Sequence, residues 1–522
     1  MSLSFLLRVA GLFFLQFNSA QAKSQVHEQW HVSSIPNVPA GYTGSLHSGY
    51  LNLTDKLEGD LFFTLYGSEN EVHQNRTIIW LNGGPGCSSE DGSMLELGPL
   101  RLTNDSLVYY NAASWVRLGN VLFVDQPMGT GFSFADTRDA ILNDNEKMSN
   151  DFAYFLQEFV KAFPEYATDT WYIAGESFAG QYIPAIAKKV IDSDIVNLSG
   201  IAIGNGWIEP ASHYLTYLDY LVERGLLERG SALFEALTAV QAKCLMSLEQ
   251  SASGMLEDEN SCDKYLFDIL FSVSDKSGEF CFNMYDVTLT SPYPSCGMEW
   301  PLELPALTDF LSSPDVMKAL HVASDKVSRW EECSSLVSNF YADTNVFRTR
   351  FTIAELLEEI PVMLFYGEND FLCNYVSGEF LISNLEWSGK RGFENASNAD
   401  WYPRYSEANT LEYGQYAAAA GIIHSERNLT YATIRNSSHM VPYDHPYEML
   451  ALVSAFFDND FSQILMLPDP VTIVPNHSFL SIFLWVMAGI LAFSAIGAIC
   501  YYSYRHIRSR YDSYTPIQEE SA

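Results

Sequence analysis

Positive charge is scarce in this chain. Its 522 residues hold 29 Lys and Arg against 64 Asp and Glu, a formal net charge of −35. Nucleic-acid surfaces need clustered Lys and Arg, so the balance argues against nucleic acid as a partner. It fits a soluble secreted protein that draws cationic partners toward it. Two further motifs are missing. There is no H-E-x-x-H and no comparable group of His ligands, which disfavours metal-assisted hydrolysis. The run Asn82-Gly83-Gly84-Pro85-Gly86-Cys87-Ser88-Ser89 lacks the Lys of a phosphate-binding P-loop. No cofactor is implied, and no internal repeat points to a stacked-repeat architecture. Long apolar runs are few: beyond the N-terminus, one alone is long enough to cross a bilayer.

That run is Phe479 to Tyr502, and Arg505, Arg508 and Arg510 follow it. Length and basic flank predict a single transmembrane helix with the tail in the cytosol. At the other end, Val9 to Phe17 is mostly apolar and Ala20-Gln21-Ala22 is a small-x-small cleavage pattern, so residues 1–22 read as a signal peptide. Seven of the eight cysteines then face an oxidising lumen, which predicts three bridges and one free thiol with connectivity open. Sequons at Asn52, Asn75, Asn104, Asn197, Asn395, Asn428, Asn436 and Asn476 are candidate glycosylation sites on the same route.

Between these ends, short apolar strands alternate with helical segments. Gly49 to Tyr66 reads as an antiparallel meander at a sheet edge. Strands are expected at Thr77–Leu81, Val121–Val124, Trp171–Ile173, Ile201–Ile203, Pro361–Tyr366 and Leu429–Ile434, the last of the sheet. Helices are expected to begin at Gly92 and to cover Asn150–Phe163, Ala185–Ile191 and Glu448–Phe457, and Trp387 to Tyr405 reads as a long loop. The alternation points to an α/β fold with a mostly parallel central sheet. The α/β core is expected to come from two stretches of chain, 23–206 and 351–460, with an inserted helical, disulfide-stapled subdomain at 207–350 between them. A stalk at 461–477, the transmembrane helix at 478–502 and a cytosolic tail at 503–522 are expected to follow.

The chemistry centres on Gly175-Glu176-Ser177-Phe178-Ala179-Gly180, a serine at a strand–turn–helix junction. Such an elbow lifts the hydroxyl out of the sheet. Ala179 stands where the strict motif has glycine, and it is small enough for the same packing. A helix-capping serine is the plain alternative. However, Asp370 follows a later strand and His439 follows the last one. The order Ser177, Asp370, His439 is that of the α/β-hydrolase triad, in which imidazole deprotonates the hydroxyl and the carboxylate fixes the imidazole. The small residues at 82–89 suit an oxyanion hole.

With Asp125-Gln126-Pro127, Gly129-Thr130-Gly131-Phe132-Ser133 and His439-Met440-Val441-Pro442 added, residues of about 30–460 resemble the serine carboxypeptidase family. With the expected anchor, they most resemble its fungal, membrane-anchored, pheromone-processing branch. That branch implies a late-Golgi enzyme trimming C-terminal Lys and Arg from precursor peptides. The resemblance implies a triad of Ser177, Asp370 and His439. It implies an oxyanion hole from the N–H groups of Gly84 and Phe178, and a clamp on the substrate carboxylate from Asn82, Gly83, Glu96 and Glu176. It also implies that Cys373 is unpaired and Cys87 bonds Cys333. For the other two bridges we take Cys244–Cys262 and Cys281–Cys296. Phe178 stands where many relatives have Tyr.

Glu90-Asp91 follows the glycine-rich loop, and Asp91 matches a position lining the family's pocket for the C-terminal residue. A carboxylate there would pair with Lys or Arg; a solvated acidic turn is the alternative. The rival functions are a broad-specificity carboxypeptidase or acyltransferase, and a catalytically idle, membrane-bound binding or sorting relative.

Overall fold

The computed structural model describes residues 27–39, 41–141, 144–252, 261–273, 278–341, 349–395, 398–403, 419–465 and 501. Its main sheet has ten strands: β1 Leu46–Tyr50, β2 Phe62–Tyr66, β3 Arg76–Leu81, β4 Asn120–Val124, β5 Thr170–Glu176, β6 Asn197–Gly204, β7 Val362–Gly367, β8 Ala399–Trp401, β9 Gly421–Glu426 and β10 Leu429–Ile434. Their spatial order is β1-β2-β4-β3-β5-β6-β7-β10-β9-β8. The six from β4 to β10 run parallel, and an antiparallel pair extends each edge.

The central strands are apolar at nearly every position because both faces are covered. Alternation in β3 sends Ile78 and Trp80 to one face and Ile79 and Leu81 to the other. The first face packs on helix Pro446–Phe457 through Met449, Leu452 and Val453. The second packs on helices Asn145–Ala162 and Ala179–Asp192 through Phe152, Phe155, Phe159, Ile183 and Ile186. Asp144 caps the first of these, accepting from the Lys147 N–H at 2.7 Å.

From β6 to β7 the chain leaves the sheet through helices Pro210–Glu223, Ala232–Ala252 and Ser261–Ser272. Their apolar faces form a separate cluster that includes Tyr217, Tyr220, Tyr265 and Phe371. Disulfides Cys244–Cys262 and Cys281–Cys296 close short loops in it, Cys87–Cys333 joins positions 246 residues apart, and Cys373 is free and buried.

Several elements differ from the sequence reading. The elbow helix begins at Ala179, not Ala185. The segment read as a long loop at 387–405 contains the edge strand β8 and half of a small hairpin, Glu386–Trp387 with Lys390–Arg391. Strand β10 is the last in chain order, as expected, but β9 and β8, which the sequence reading did not identify, extend the sheet beyond it. Such strands are defined by the strand they pair with, and an apolar pattern within one segment does not encode that pairing.

The membrane anchor is a correction. No helix among the described residues is long and apolar enough to cross a membrane. Apart from Tyr501, the run 478–502 lies outside those residues, as do the signal-peptide stretch 1–22, the tail 503–522 and stalk positions 466–477. An apolar run of that length expresses a solvent preference and does not by itself make a spanning helix. The single-pass topology, the membrane anchoring and the Golgi-membrane placement drawn from that run are therefore withdrawn.

Candidate active site

Ser177 follows β5 with φ of 61°, a left-handed conformation rare outside glycine. Three backbone bonds hold it there. Its N–H donates to Gly204 O at 3.1 Å, and its carbonyl accepts from Gly180 N at 2.9 Å and Trp207 N at 2.7 Å. Small neighbours make the turn fit. A Cβ on Gly175 would stand 2.2 Å from Leu81 O and 3.0 Å from the Ala179 Cβ. The glycine-rich loop after β3 lies directly on the elbow. A Cβ on Gly83 would meet Phe178 N at 2.4 Å and the Ser177 Cβ at 2.7 Å.

Asp370 lies in the loop after β7 and is fully buried. Its Oδ2 accepts from His439 Nδ1 at 2.7 Å, Asn205 Nδ2 at 2.8 Å and Cys373 N at 3.2 Å. The loop is tied down by helix Pro210–Glu223. Tyr220 Oη donates to Glu368 O at 3.0 Å, Tyr217 Oη to Leu372 O at 3.0 Å and an Arg224 guanidinium nitrogen to Asn369 Oδ1 at 2.6 Å. His439, after β10, donates its backbone N–H to Tyr285 O at 2.9 Å. With Nδ1 held by Asp370, Nε2 is the nitrogen left for the cleft that Ser177 and His439 both line. The free Cys373 thiol lies beside Asp370 and His439, and burial, Asp370 and Glu176 together hold it strongly protonated.

The N–H groups of Gly84 and Phe178 have no acceptor among the described residues, and both belong to the loop and elbow that touch at Gly83. Asn82 is fixed by donors to its Oδ1, Trp80 Nε1 at 2.8 Å and Gly92 N at 3.2 Å. Its Nδ2 donates to Glu176 Oε1 at 3.1 Å. Glu96 is fully buried in a turn of π-helix, Gly92–Glu96, at the place where a helix start was expected.

Neither Glu96 oxygen nor Glu176 Oε2 has a close hydrogen-bond partner. Burial drives the Glu96 carboxyl up to about 8, against a smaller opposing pull from Arg101. Glu176 is raised well above the carboxylate range by burial, then by Glu96, Asp91 and Asp370. The pair therefore holds a proton at neutral pH.

Asp91 lines the same cleft, buried, with Oδ1 unpartnered. Glu90 does not reach it: Glu90 Oε1 accepts from Thr64 Oγ1 on β2 at 2.5 Å, beside Asp125. Of the sequon asparagines, Asn52, Asn75, Asn104, Asn197, Asn395, Asn428 and Asn436 are exposed, and Asn476 lies outside the described residues. The amide of Asn428 is engaged, donating to Leu357 O at 3.0 Å.

Three residues at this site escaped the sequence reading. Asn205 orients Asp370 and also accepts from the Gly367 N–H at 3.0 Å, joining β6 to β7. Its signal was a polar residue closing an apolar strand. Tyr285 and Glu332 come from the excursion between β6 and β7 and enter the cleft only through tertiary packing.

The serine carboxypeptidase family model matches residues 36–459. The pheromone-processing carboxypeptidase kex1 of Schizosaccharomyces pombe is 47% identical over 490 residues, covering 94% of this chain and 93% of that one. The Fusarium vanettenii protein of the same name is 41% identical over 453 residues, covering 85% and 72%. Among solved structures, a prohormone-processing carboxypeptidase from Saccharomyces cerevisiae superposes with a TM-score of 0.74 at 31% identity, covering 83% of this chain and 96% of that one. With that coverage, and with its serine elbow seated against the glycine-rich loop, the chain belongs to the serine carboxypeptidase family.

Proposed function

We propose that this enzyme removes the last residue of precursor peptides in the secretory pathway, through an acyl-enzyme on Ser177. His439 Nε2 takes the Ser177 proton as Oγ attacks the terminal peptide carbonyl, while Asp370 holds the imidazole and stabilises its charged form. The N–H groups of Gly84 and Phe178 receive the oxyanion. His439 then protonates the departing amine, the C-terminal amino acid leaves, and water resolves the ester. Asn82, the Gly83 N–H and the proton-sharing pair Glu96 and Glu176 bind the substrate's terminal carboxylate. That clamp makes the enzyme an exopeptidase: a chain running on past the cleaved bond would leave the pair's proton without an acceptor. Asp91 favours Lys or Arg as the residue removed.

One observation carries this reading: the buried His439–Asp370 hydrogen bond beside a left-handed Ser177 packed on Gly83. The names of the relatives support a precursor-processing role, and three disulfides fit an oxidising compartment. The test combines fluorophosphonate labelling with a panel of peptides differing only in the last residue. Labelling at Ser177 and release of single C-terminal residues is expected. Labelling without release from any peptide would turn the reading toward a binding relative or an acyltransferase.

A further inference from the structure

The two oxyanion donors come from different segments of chain. Gly84 belongs to the loop after β3, and Phe178 to the start of the elbow helix. Such donors act only if their separation is held to within about 0.5 Å. One side chain touches both segments. Tyr182 lies on the elbow helix four residues after Phe178 and is fully buried. That spacing sets the two side chains on one helix face. Their rings meet edge-on, with centroids 5.2 Å apart. At its far end the Tyr182 hydroxyl accepts from the Gly86 N–H at 3.2 Å.

Gly86 has little room to move. A Cβ there would stand 2.7 Å from the Val337 Cβ, and its carbonyl accepts from Ser334 N at 2.9 Å. Gly86 is buried, whereas Gly84, two residues earlier, is exposed at the cleft. Among the described residues the Tyr182 hydroxyl is the acceptor for the Gly86 N–H. A third ring fixes the tyrosine itself. Tyr341 packs 5.5 Å from Phe178 and 5.6 Å from Tyr182, and its hydroxyl donates to Asn145 on helix Asn145–Ala162. Burial pushes the Tyr182 phenol's pKa upward, so the hydroxyl serves as a fixed dipole and not as an acid.

We propose that Tyr182 is a positioning residue that sets the spacing of the oxyanion hole. Its hydroxyl holds the glycine-rich loop at Gly86 while its ring holds Phe178. The proposal rests on the assignment of the Gly84 and Phe178 N–H groups given above. It adds that the elbow helix carries both the nucleophile and the brace for the opposite donor. Without the hydroxyl, the buried Gly86 N–H has no acceptor and the loop shifts to find one.

The test compares Tyr182→Phe with wild type on two depsipeptides that differ only at the last carbonyl, which carries oxygen in one and sulfur in the other. Sulfur is a weak acceptor, so the ratio of the two kcat/KM values reads the oxyanion donors. Wild type is expected to favour oxygen. Tyr182→Phe should lower that preference about tenfold, through loss on the oxygen substrate alone. KM should hold, because Tyr182 does not line the cleft. A circular dichroism spectrum matching wild type certifies the fold. If Tyr182→Phe does not fold, Tyr182→Met is the second variant without the hydroxyl. An equal loss on both substrates, or no loss on either, overturns the positioning role and leaves the oxyanion hole standing. A wild type that does not favour oxygen removes the oxyanion assignment and the proposal with it.

Discussion

If the Glu96–Glu176 pair grips the substrate carboxylate through a shared proton, raising the pH should release the substrate. A C-terminal carboxylate is ionised across the whole range considered, since its ordinary pKa is about 3.5. Glu96 is raised to about 8 by burial, and Glu176 higher than its usual range by burial and by Glu96. Below pH 7 the pair presents a proton to the incoming carboxylate. Above about 8 Glu96 presents charge instead, and two ionised carboxylates, its own and the substrate's, would then share one buried site. Affinity for the charged terminus should fall about tenfold per pH unit beyond that point. The expected profile of kcat/KM is level from pH 6 to 7 and about tenfold lower by pH 9. The control is the same peptide with its C-terminus amidated, which offers no charge to the clamp and should lack the falling limb. An identical fall for the amidated peptide would assign the limb to another group. No fall for the free acid would refute proton sharing by the pair.

Three further outcomes follow from the geometry. Gly83→Ala places a Cβ 2.4 Å from Phe178 N and 2.7 Å from the Ser177 Cβ, so the loop must move off the elbow; kcat should fall at least a hundredfold, about 3 kcal/mol of transition-state stabilisation, with fluorophosphonate labelling slowed in step. Asn205→Ala removes a donor to Asp370 and strands the Gly367 N–H; about 1–3 kcal/mol of stability should be lost, read as a lower denaturation midpoint, and kcat should fall about tenfold. Finally, Glu90 and Glu96 at about 8, Glu332 at about 7 and Asp125 at about 6 are all raised by burial. The unfolded chain ionises such groups near pH 4, so between about 4 and 8 the folded state binds more protons and stability falls as pH rises. Tm should therefore be a few degrees lower at pH 8 than at pH 5, by scanning calorimetry; a higher Tm at pH 8 would contradict the buried-acid assignment.

Local pattern made much of this protein legible. Apolar runs such as Ile78–Leu81 and Val362–Phe365 bury both faces inside the parallel part of the sheet. Glycine and a small residue around Ser177 marked a turn that larger side chains would block. The edge strands at 399–401 and 421–426 were not legible, since the first has three residues and both are defined by the strand they pair with. The apolar run at 478–502 illustrates the reverse: a strong local pattern suggested an anchor that the described structure does not supply.

What the sequence alone determined is the chemistry at loop ends: a serine elbow, a carboxylate and an imidazole after successive strands, and a loop too small to keep backbone away from them. Tertiary structure decided everything that depends on distance across the chain. It turned Glu90 toward Thr64 while leaving Asp91 in the cleft, folded Glu96 inward on a π-turn, and brought Asn205 to Asp370 and Glu332 into the cleft. The physical reason is the range of the forces. Turn sterics and apolar alternation act between near neighbours in sequence, whereas burial and charge repulsion depend on which distant segments meet.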